Sequence, residues 1–237
     1  MYDYIIVGAA QAGLSMAYHL HKKKANYLVV DGGKEVGHSW LVRWDSLTLF
    51  TPTEYNHLPG MDFPAEKGYY PNKYEVADYF KKYAEHFNIP IEFNRLITSV
   101  KKQAGKFVVS HADGEYEAKN VIVATGPFHT PYTPPCATKI SEEVFQIHSN
   151  EYKKLDNLNG DEVLVVGGGD SGYQILDEIS ADKSKTVYFS GDTDVKTLPQ
   201  VILGKTLWWW FTISGFLSFN KYSWIGKKIS EFTQPVI

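Results

Sequence analysis

Residues 4–31 read YIIVGAAQAGLSMAYHLHKKKANYLVVD. An apolar run over residues 4–7 enters a glycine turn, and apolar residues then recur at helical spacing from Ala12 to Lys23. A second apolar run over residues 27–30 ends at Asp31. The pattern predicts a strand, a helix and a second strand in one unit at the N-terminus, which is typical of α/β folds.

The same pattern recurs about 160 residues further along the chain. Residues 162–189 read EVLVVGGGDSGYQILDEISADKSKTVYF, which predicts a strand over 162–166, a helix to about Ala181 and a strand over 186–189. The chain therefore contains two units of one kind, each with a glycine-rich turn between its first strand and its helix.

Both turns have the spacing of a phosphate-binding turn. The first glycine of such a turn permits a tight bend, the second lets the backbone approach a pyrophosphate, and the third lets helix and strand pack closely. The phosphates then lie at the positive end of the helix dipole. The motif is complete at Gly167, Gly169 and Gly172. The first turn comprises Gly8, Ala10, Gln11, Ala12 and Gly13, and its alanine at the middle position is expected to crowd a pyrophosphate without preventing binding.

The residues that follow the second strand differ between the two units. Asp31 and Gly32 follow it in the first unit, and a carboxylate 18 residues after Gly13 can accept hydrogen bonds from both ribose hydroxyls of an adenosine. A solvent-facing turn aspartate is the alternative. The second unit has Ser190 and Gly191 there, with neither a carboxylate to repel a 2′-phosphate nor an arginine to bind one. NADPH is therefore favoured over NADH as the second cofactor, and NADH stays open.

Between the two units, four segments have distinct patterns. A proline- and aromatic-rich stretch over residues 37–71 has little periodicity and is predicted to wrap a ligand. Residues 73–87 place apolar side chains at helical spacing, and residues 96–118 alternate as a small β-meander. A buried strand is predicted over residues 121–126.

A change in composition at residues 150–160 predicts two domains, 1–155 and 156–237. The most apolar stretch, 207–219, contains three consecutive tryptophans but is only about 13 residues long, whereas about 20 are needed to span a bilayer. It is predicted to form a buried or interface helix. Interfacial membrane contact and a homodimer through its aromatic residues stay open as alternatives.

Composition excludes several classes of function. The net charge is −3, and the lysine run 22–24 falls where a helix should end, so no nucleic-acid surface is predicted. Cys136 is the one cysteine, which excludes an internal disulfide, a cysteine-rich zinc site and a CxxC redox pair. The N-terminus has no basic region and no cleavage site and reads as a strand, so a cytoplasmic location and no transmembrane segment are expected.

Further stretches of the chain carry a specific resemblance. They are GHSWLVRWDSL at 37–47, LPG at 58–60, YPNK at 70–73, ATGP at 124–127, LPQ at 198–200 and LGK at 203–205. Together with VLVVGGGDSG at 163–172, they resemble flavin-containing monooxygenases, in the branch of the indole-pyruvate monooxygenases and related bacterial flavoproteins. The resemblance extends over nearly the whole chain.

The resemblance implies a Rossmann-like FAD-binding domain with a β-meander, followed by an incomplete Rossmann-like NAD(P)-binding domain. It implies reduction of FAD by NADPH, reaction with molecular oxygen to a flavin hydroperoxide, and transfer of one oxygen atom to a small organic substrate. The residues implied to hold FAD are Gly8, Gly13, Asp31, Trp40, Arg43, Thr125 and Gly126, and those implied to hold the nicotinamide cofactor are Gly167, Gly169, Asp170, Ser171 and Gly172.

Two departures from the family pattern limit the assignment. Only the second half of the motif that precedes the second domain is present, at 148–152, so His148 is either a domain-linker residue or an ordinary capping or core histidine. Larger members of the family place an asparagine near the reactive flavin edge, where this chain has Phe50. No catalytic side chain and no metal ligand are therefore nominated.

The segment after the second turn is short for such a protein. Residues 173–237 number 65, whereas a nucleotide-binding half-domain needs several βα units of roughly 30 residues each. Three hypotheses follow: a monooxygenase or an inactive fragment of one, a flavin reductase of the disulfide-reductase type, and a non-catalytic remnant that binds FAD or a partner chain. The lack of a CxxC pair disfavours the second hypothesis.

Overall fold

A computed structural model describes residues 1–127, 130–191, 199–218, 220, 222–224 and 226–228. Its strands and longer helices, in chain order, are β1 (Tyr2–Val7), α1 (Gln11–Lys22), β2 (Tyr27–Val30), α2 (His38–Leu41), α3 (Lys73–His86), β3 (Ile91–Glu92), β4 (Ser99–Gln103), β5 (Lys106–His111), β6 (Gly114–Val123), β7 (Glu162–Val166), α4 (Asp170–Ala181), β8 (Thr186–Ser190), β9 (Val201–Ile202), β10 (Lys205–Thr206) and α5 (Leu207–Ile213). Single 3₁₀ turns cover Thr53–Tyr55, Pro135–Lys139, Leu155–Asn157 and Phe216–Ser218.

The first unit forms a mixed sheet of six strands in the order β3-β2-β1-β6-β5-β4. β1 pairs in parallel with β2 on one side and with β6 on the other, so that Ile6 lies between Val29 and Ile122. The chain leaves β1 in one direction and returns on its other side, which makes the carboxyl end of β1 a topological switch point. Ligands of open α/β sheets bind at such a point. The predicted parallel α/β architecture is confirmed.

The last strand of the predicted meander and the strand predicted after it form one continuous strand, β6. β6 covers ten residues and is antiparallel to β5 along its first half and parallel to β1 along its second. This part of the chain was predicted to be buried, but Val123, the last residue of β6, is 69 % exposed. The alternation of residues 96–118 did predict the hairpin, but hydrophobicity alone did not show that one strand would serve two partners.

The two faces of the six-stranded sheet take alternate residues of β1. Ile6 faces the side that α1 and α3 cover, together with Leu14 of α1 and Tyr79 of α3, and all three are fully buried. Ile5 faces the opposite side with Val30. Burying a side chain of the size of Leu14 contributes about 2 kcal/mol, so this two-sided packing fixes α1, and the turn before it, against the sheet.

α3 begins at Lys73 because Asn72 and Glu75 form a capping box. The Asn72 side chain accepts hydrogen bonds from the Tyr74 and Glu75 N–H groups at 2.9 and 3.0 Å, and the Glu75 carboxylate accepts from the Asn72 N–H at 2.8 Å. The box satisfies these three N–H groups, and such a cap stabilises a helix by about 1 kcal/mol. The helix predicted over residues 73–87 is confirmed to within one residue.

Most of the irregular stretch 37–71 packs on α3. The Tyr79 hydroxyl donates to the Met61 carbonyl and accepts from the Leu58 N–H, both at 2.6 Å. The Tyr83 hydroxyl donates to the Pro59 carbonyl at 2.6 Å. Side-chain hydroxyls thus add to the isolated backbone bridges of this segment, which explains how a stretch without periodicity is ordered.

The second unit is smaller. β7 and β8 form a parallel pair, and α4 covers one face through Ile175 and Ile179, which pack with Trp44 of the first unit. On the opposite face Leu164, Val166 and Tyr188 are more than half exposed. These strands lie within one residue of the predicted ones, but only one face of their sheet is covered by described residues.

The tryptophan-rich stretch forms the short helix α5, whose first turn is capped by the Thr206 hydroxyl. None of the seven described residues of α5 is buried, so the prediction of a buried helix is wrong, while an interface helix is consistent with its contacts. The Trp208 indole donates to the Phe50 carbonyl at 3.0 Å. Leu198 and Phe219, at the ends of two predicted stretches, lie outside the described residues.

No helix in the described ranges is both long and apolar enough to cross a membrane.

Candidate functional site

The two glycine turns have the same backbone geometry. Gly8 has φ +111° and Gly167 has φ +114°, values that residues with a Cβ rarely adopt. The Gly8 N–H donates to the carbonyl of Val30, the last residue of β2, at 2.8 Å. The Gly167 N–H donates to the carbonyl of Ser190, the last residue of β8, also at 2.8 Å. The first glycine of each motif therefore bends the chain and joins it to the neighbouring strand.

The last glycine of each motif allows the helix to approach the turn. A Cβ on Gly13 would lie 1.8 Å from the Gly8 carbonyl oxygen, and a Cβ on Gly172 would lie 2.0 Å from the Gly167 oxygen. Both distances are far below the 3.0 Å that real Cβ atoms keep from neighbouring atoms. Glycine is therefore required at both positions by the packing of helix on turn.

The middle position of each motif is the N-cap of the helix. Ala10 and Gly169 both have extended backbones there, so the alanine methyl is accommodated without strain. The side chains of Asn72 at α3 and Thr206 at α5 accept hydrogen bonds from the first N–H groups of their helices. In the described structure, Ala10 and Gly169 have no side chain that does so. The first N–H groups of α1 and α4 are thus left for another acceptor, and a phosphate is the acceptor that such helix ends bind.

Asp31 lies beside the first turn. One carboxylate oxygen accepts a hydrogen bond from the Ala9 N–H and the other from the Gly33 N–H, each at 2.6 Å. An ionised carboxylate has about four lone-pair positions, so acceptor capacity remains for a ligand. Gly32 passes close to Leu96, because a Cβ there would lie 3.3 Å from the Leu96 Cδ1 atom. The structure therefore joins Asp31 to the glycine turn, a contact that its spacing from Gly13 did not predict.

Thr125 and Gly126 reach the same place from the other side of β1. A Cβ on Gly8 would lie 2.4 Å from the Ala124 carbonyl oxygen and 3.3 Å from the Thr125 nitrogen. Gly126 has φ +72° and is exposed, as is Thr125. The carboxyl ends of β1 and β6 thus meet at the switch point, beside the N-terminus of α1.

Trp40 and Arg43 are carried by α2 and the residues after it. Trp40 is half-buried and, with Gln11, borders a cavity of about 20 Å³, which holds roughly one water molecule. The Arg43 guanidinium donates to the Asn150 side-chain oxygen at 2.6 Å, and burial lowers its pKa. Trp40 is therefore next to the first turn, whereas Arg43 contacts the segment that leads into the second unit.

The sequence did not predict a role for two lysines near Arg43. Lys73 is 2 % exposed and pairs with Asp45 at 2.8 Å, and its hydrogen bond is the main reason that the pKa of Asp45 falls below 3.8. Burial lowers the pKa of Lys153, and the nearby charges of Lys73 and Arg43 lower it further. The YPNK stretch at 70–73 marked Lys73 as part of a motif, but nothing in its pattern indicated burial.

Asp170 and Ser171 belong to the second glycine motif and are exposed in the first helical turn of α4. Further along α4, the Gln174 amide donates to the Thr48 carbonyl at 3.2 Å, and Glu178 accepts from the Ser46 hydroxyl at 2.7 Å. The helix that begins at the second turn is therefore in contact with the segment that follows Arg43. His148 accepts a hydrogen bond from the Asn150 N–H at 3.1 Å, which favours the capping alternative for this histidine.

The chain is similar to known oxidoreductases. The family model for pyridine nucleotide-disulphide oxidoreductases matches residues 5–201. An uncharacterized oxidoreductase CzcO-like of Geobacillus kaustophilus is 40 % identical over 234 residues, which are 99 % of this chain and 67 % of that protein. The probable indole-3-pyruvate monooxygenase YUCCA1 of Arabidopsis thaliana is 33 % identical over 84 % of this chain and 49 % of its own length.

A solved structure agrees with these relatives. The flavin-containing monooxygenase from Stenotrophomonas maltophilia matches with a TM-score of 0.77 and 30 % identity, over 84 % of this chain and 60 % of that one. This chain thus spans about two thirds of the bacterial relative and about half of the plant relative.

Proposed function

Because this chain belongs to the pyridine nucleotide-disulphide oxidoreductase family and is a flavin monooxygenase-like flavoprotein, we propose that it binds FAD at its first glycine turn and NADPH at its second. The proposed reaction transfers one atom of molecular oxygen to a small organic substrate, with NADH as the alternative electron donor. The observation that carries the proposal is the repeated turn geometry, in which Gly8 and Gly167 have matching φ angles and Gly13 and Gly172 have matching close approaches.

The residues around the first turn fit FAD. α1 has no acidic residue in its first turn, and its Ala10 N-cap has no polar side chain to occupy the first N–H groups, so the pyrophosphate meets an uncompensated positive helix end. Asp31 is held against the turn by the Ala9 N–H, where its remaining lone pairs would accept hydrogen bonds from the ribose hydroxyls. Thr125 and Gly126 would border the same crevice from β6.

A bound FAD would supply the redox chemistry, namely acceptance of a hydride from NADPH and activation of oxygen for transfer to a soft nucleophile or a carbonyl. This chain supplies placement. Trp40 would give an aromatic wall beside Gln11. Arg43 would contribute positive charge from the loop that follows α2. No side chain is assigned to a proton transfer, because Phe50 occupies the position at which larger members of the family have an asparagine.

The second turn is expected to bind its nucleotide less tightly than the first. Asp170, in the first turn of α4, compensates the helix dipole and would repel a pyrophosphate at the same place. Gly167, Gly169 and Gly172 would provide backbone donors, Ser171 would provide its hydroxyl, and Asp170 would contribute through its backbone N–H group. The division into domains 1–155 and 156–237, the cytoplasmic location and a homodimer stay predictions.

One observation favours a second candidate. In the first unit the carbonyl of Ala124, after β6, would lie 2.4 Å from a Cβ on Gly8, whereas no described atom lies within 4 Å of that point at Gly167. The neighbour that β6 provides to the first turn thus has no counterpart among the described residues of the second. The second candidate is a flavin-binding protein whose nicotinamide unit is completed by further polypeptide.

The two candidates are separated by the visible spectrum of the purified chain. We would titrate FAD into the protein, then add NADPH or NADH without oxygen, admit air, and follow flavin absorbance, oxygen uptake and peroxide. Bleaching by NADPH that air reverses supports the oxygenase. Binding of FAD with no bleaching by either nucleotide supports the second candidate, and failure to bind FAD refutes both.

A further inference from the structure

The Lys73 ammonium group donates to three acceptors that all lie in residues 41–45, here called the 41–45 loop. It contacts the Leu41 carbonyl at 3.3 Å, the Arg43 carbonyl at 2.6 Å and an Asp45 carboxylate oxygen at 2.8 Å. An ammonium group has three N–H donors, so one short stretch of chain satisfies all of them.

A second ammonium group, from a residue 111 positions after Val42, contacts the same loop. Lys153 donates to the Val42 carbonyl and, at 2.8 Å, to the Asn150 carbonyl. Three consecutive carbonyls, at residues 41, 42 and 43, therefore accept hydrogen bonds from two lysines. These carbonyls follow the end of α2, a helix of only four residues that has no side-chain cap in the described structure.

The position of Lys73 is unfavourable for α3 itself. It is the first residue of that helix, where the dipole is positive, and it is almost fully removed from water. Burying an ammonium group carries a large desolvation penalty unless it is fully hydrogen-bonded. A neutral residue at this position would serve α3 better, so the benefit of the lysine lies in the loop that it contacts.

We propose that Lys73 is a positioning residue for flavin binding, which acts with Lys153 by holding the 41–45 loop and thereby Trp40 and Arg43. This inference rests on the proposed FAD site. Because α2 is too short to be stable alone, the carbonyl contacts of the two lysines take the place of regular secondary structure. The loop is then preformed before FAD binds, and binding does not have to order it.

The test compares Lys73→Met with Lys82→Met. The first removes the ammonium and keeps most of the side-chain volume; the second removes an exposed lysine on the same helix, paired with Asp78. Lys73→Met is expected to accelerate amide hydrogen exchange in peptides covering residues 40–46 of the FAD-free protein. It is also expected to weaken FAD binding about tenfold or more and to alter the visible band of the flavin at saturating FAD. Lys82→Met should change none of these.

The outcomes separate this inference from the proposed function. If the unaltered chain binds no FAD, the proposed function fails, and equal exchange in Lys73→Met and the unaltered chain would then refute the loop-holding role as well. If the unaltered chain binds FAD and Lys73→Met binds it equally well with the same spectrum, only the inference is refuted. Should Lys73→Met not fold, Lys153→Met decides: faster exchange of residues 40–46 with weaker FAD binding supports the inference, and no change overturns it.

Discussion

Adding one methyl group to the last glycine of each turn should impair one cofactor at a time. In Gly13→Ala the new Cβ would start 1.8 Å from the Gly8 carbonyl oxygen, so α1 must move from the turn by more than 1 Å to restore a contact of 3.0 Å. Overpacking of this kind costs up to about 3 kcal/mol. A well-folded domain has about 5–15 kcal/mol of stability, so the variant is expected to fold.

The displaced helix end is the one that would meet the pyrophosphate of FAD. If the 3 kcal/mol penalty is relieved in the FAD-free protein and returns on binding, the affinity for FAD falls about 100-fold. Gly172→Ala, with its Cβ 2.0 Å from the Gly167 oxygen, should leave FAD affinity unchanged and should raise the NADPH concentration needed for half-maximal flavin reduction by a similar factor.

The assay is FAD titration by quenching of flavin fluorescence, followed by anaerobic reduction with NADPH in stopped flow. Ser180→Ala is the matched control, because Ser180 is an exposed residue of α4 two turns of helix beyond the glycine motif. Equal FAD affinity in Gly13→Ala and the unaltered chain would refute the assignment of the first turn, as would loss of FAD binding in Gly172→Ala alone.

Three further predictions concern single groups. Asp31→Asn removes the charge from the acceptor of the Ala9 and Gly33 N–H groups. Because hydrogen bonds to a charged group contribute about 1.5–3 kcal/mol, we expect the affinity for FAD, measured by titration, to fall at least tenfold. An unchanged affinity contradicts the role of this carboxylate. Tyr79→Phe leaves the Leu58 N–H and Met61 carbonyl without their buried partner and should lower the free energy of unfolding in urea by about 1–3 kcal/mol; a smaller loss in Tyr79→Phe than in Tyr69→Phe, whose hydroxyl is exposed, would count against it. Hydrogen bonding from Lys73 holds the pKa of Asp45 below 3.8 in the folded chain, so the contribution of Asp45 to stability is present above that pH and lost as the pH falls through the lowered pKa. The thermal midpoints of Asp45→Asn and the unaltered chain should therefore differ near neutral pH and converge in acid. A difference that stays constant with pH is the contrary result.

Local pattern was enough to predict both glycine turns and their strands and helices. The reason is that each depends on short-range constraints: Gly8 needs a positive φ, Gly13 approaches a residue five positions earlier, and Asp31 directly follows β2. The residues that meet these requirements occur at fixed spacing in the sequence, so the second turn could be predicted from the same pattern. The helix that begins at Lys73 was predictable for the same reason, through its apolar periodicity.

Contacts between residues distant in the chain could be decided only by the tertiary structure. That β6 would serve both the meander and the parallel sheet, that α5 would lie exposed against Phe50, and that Lys73 would be buried beneath the 41–45 loop all depend on partners that hydrophobic pattern does not name. A lysine at the start of a helix reads as solvated because charged side chains usually are. Only the fold shows that three acceptors surround Lys73, and desolvation makes such an arrangement stable only when every donor is satisfied.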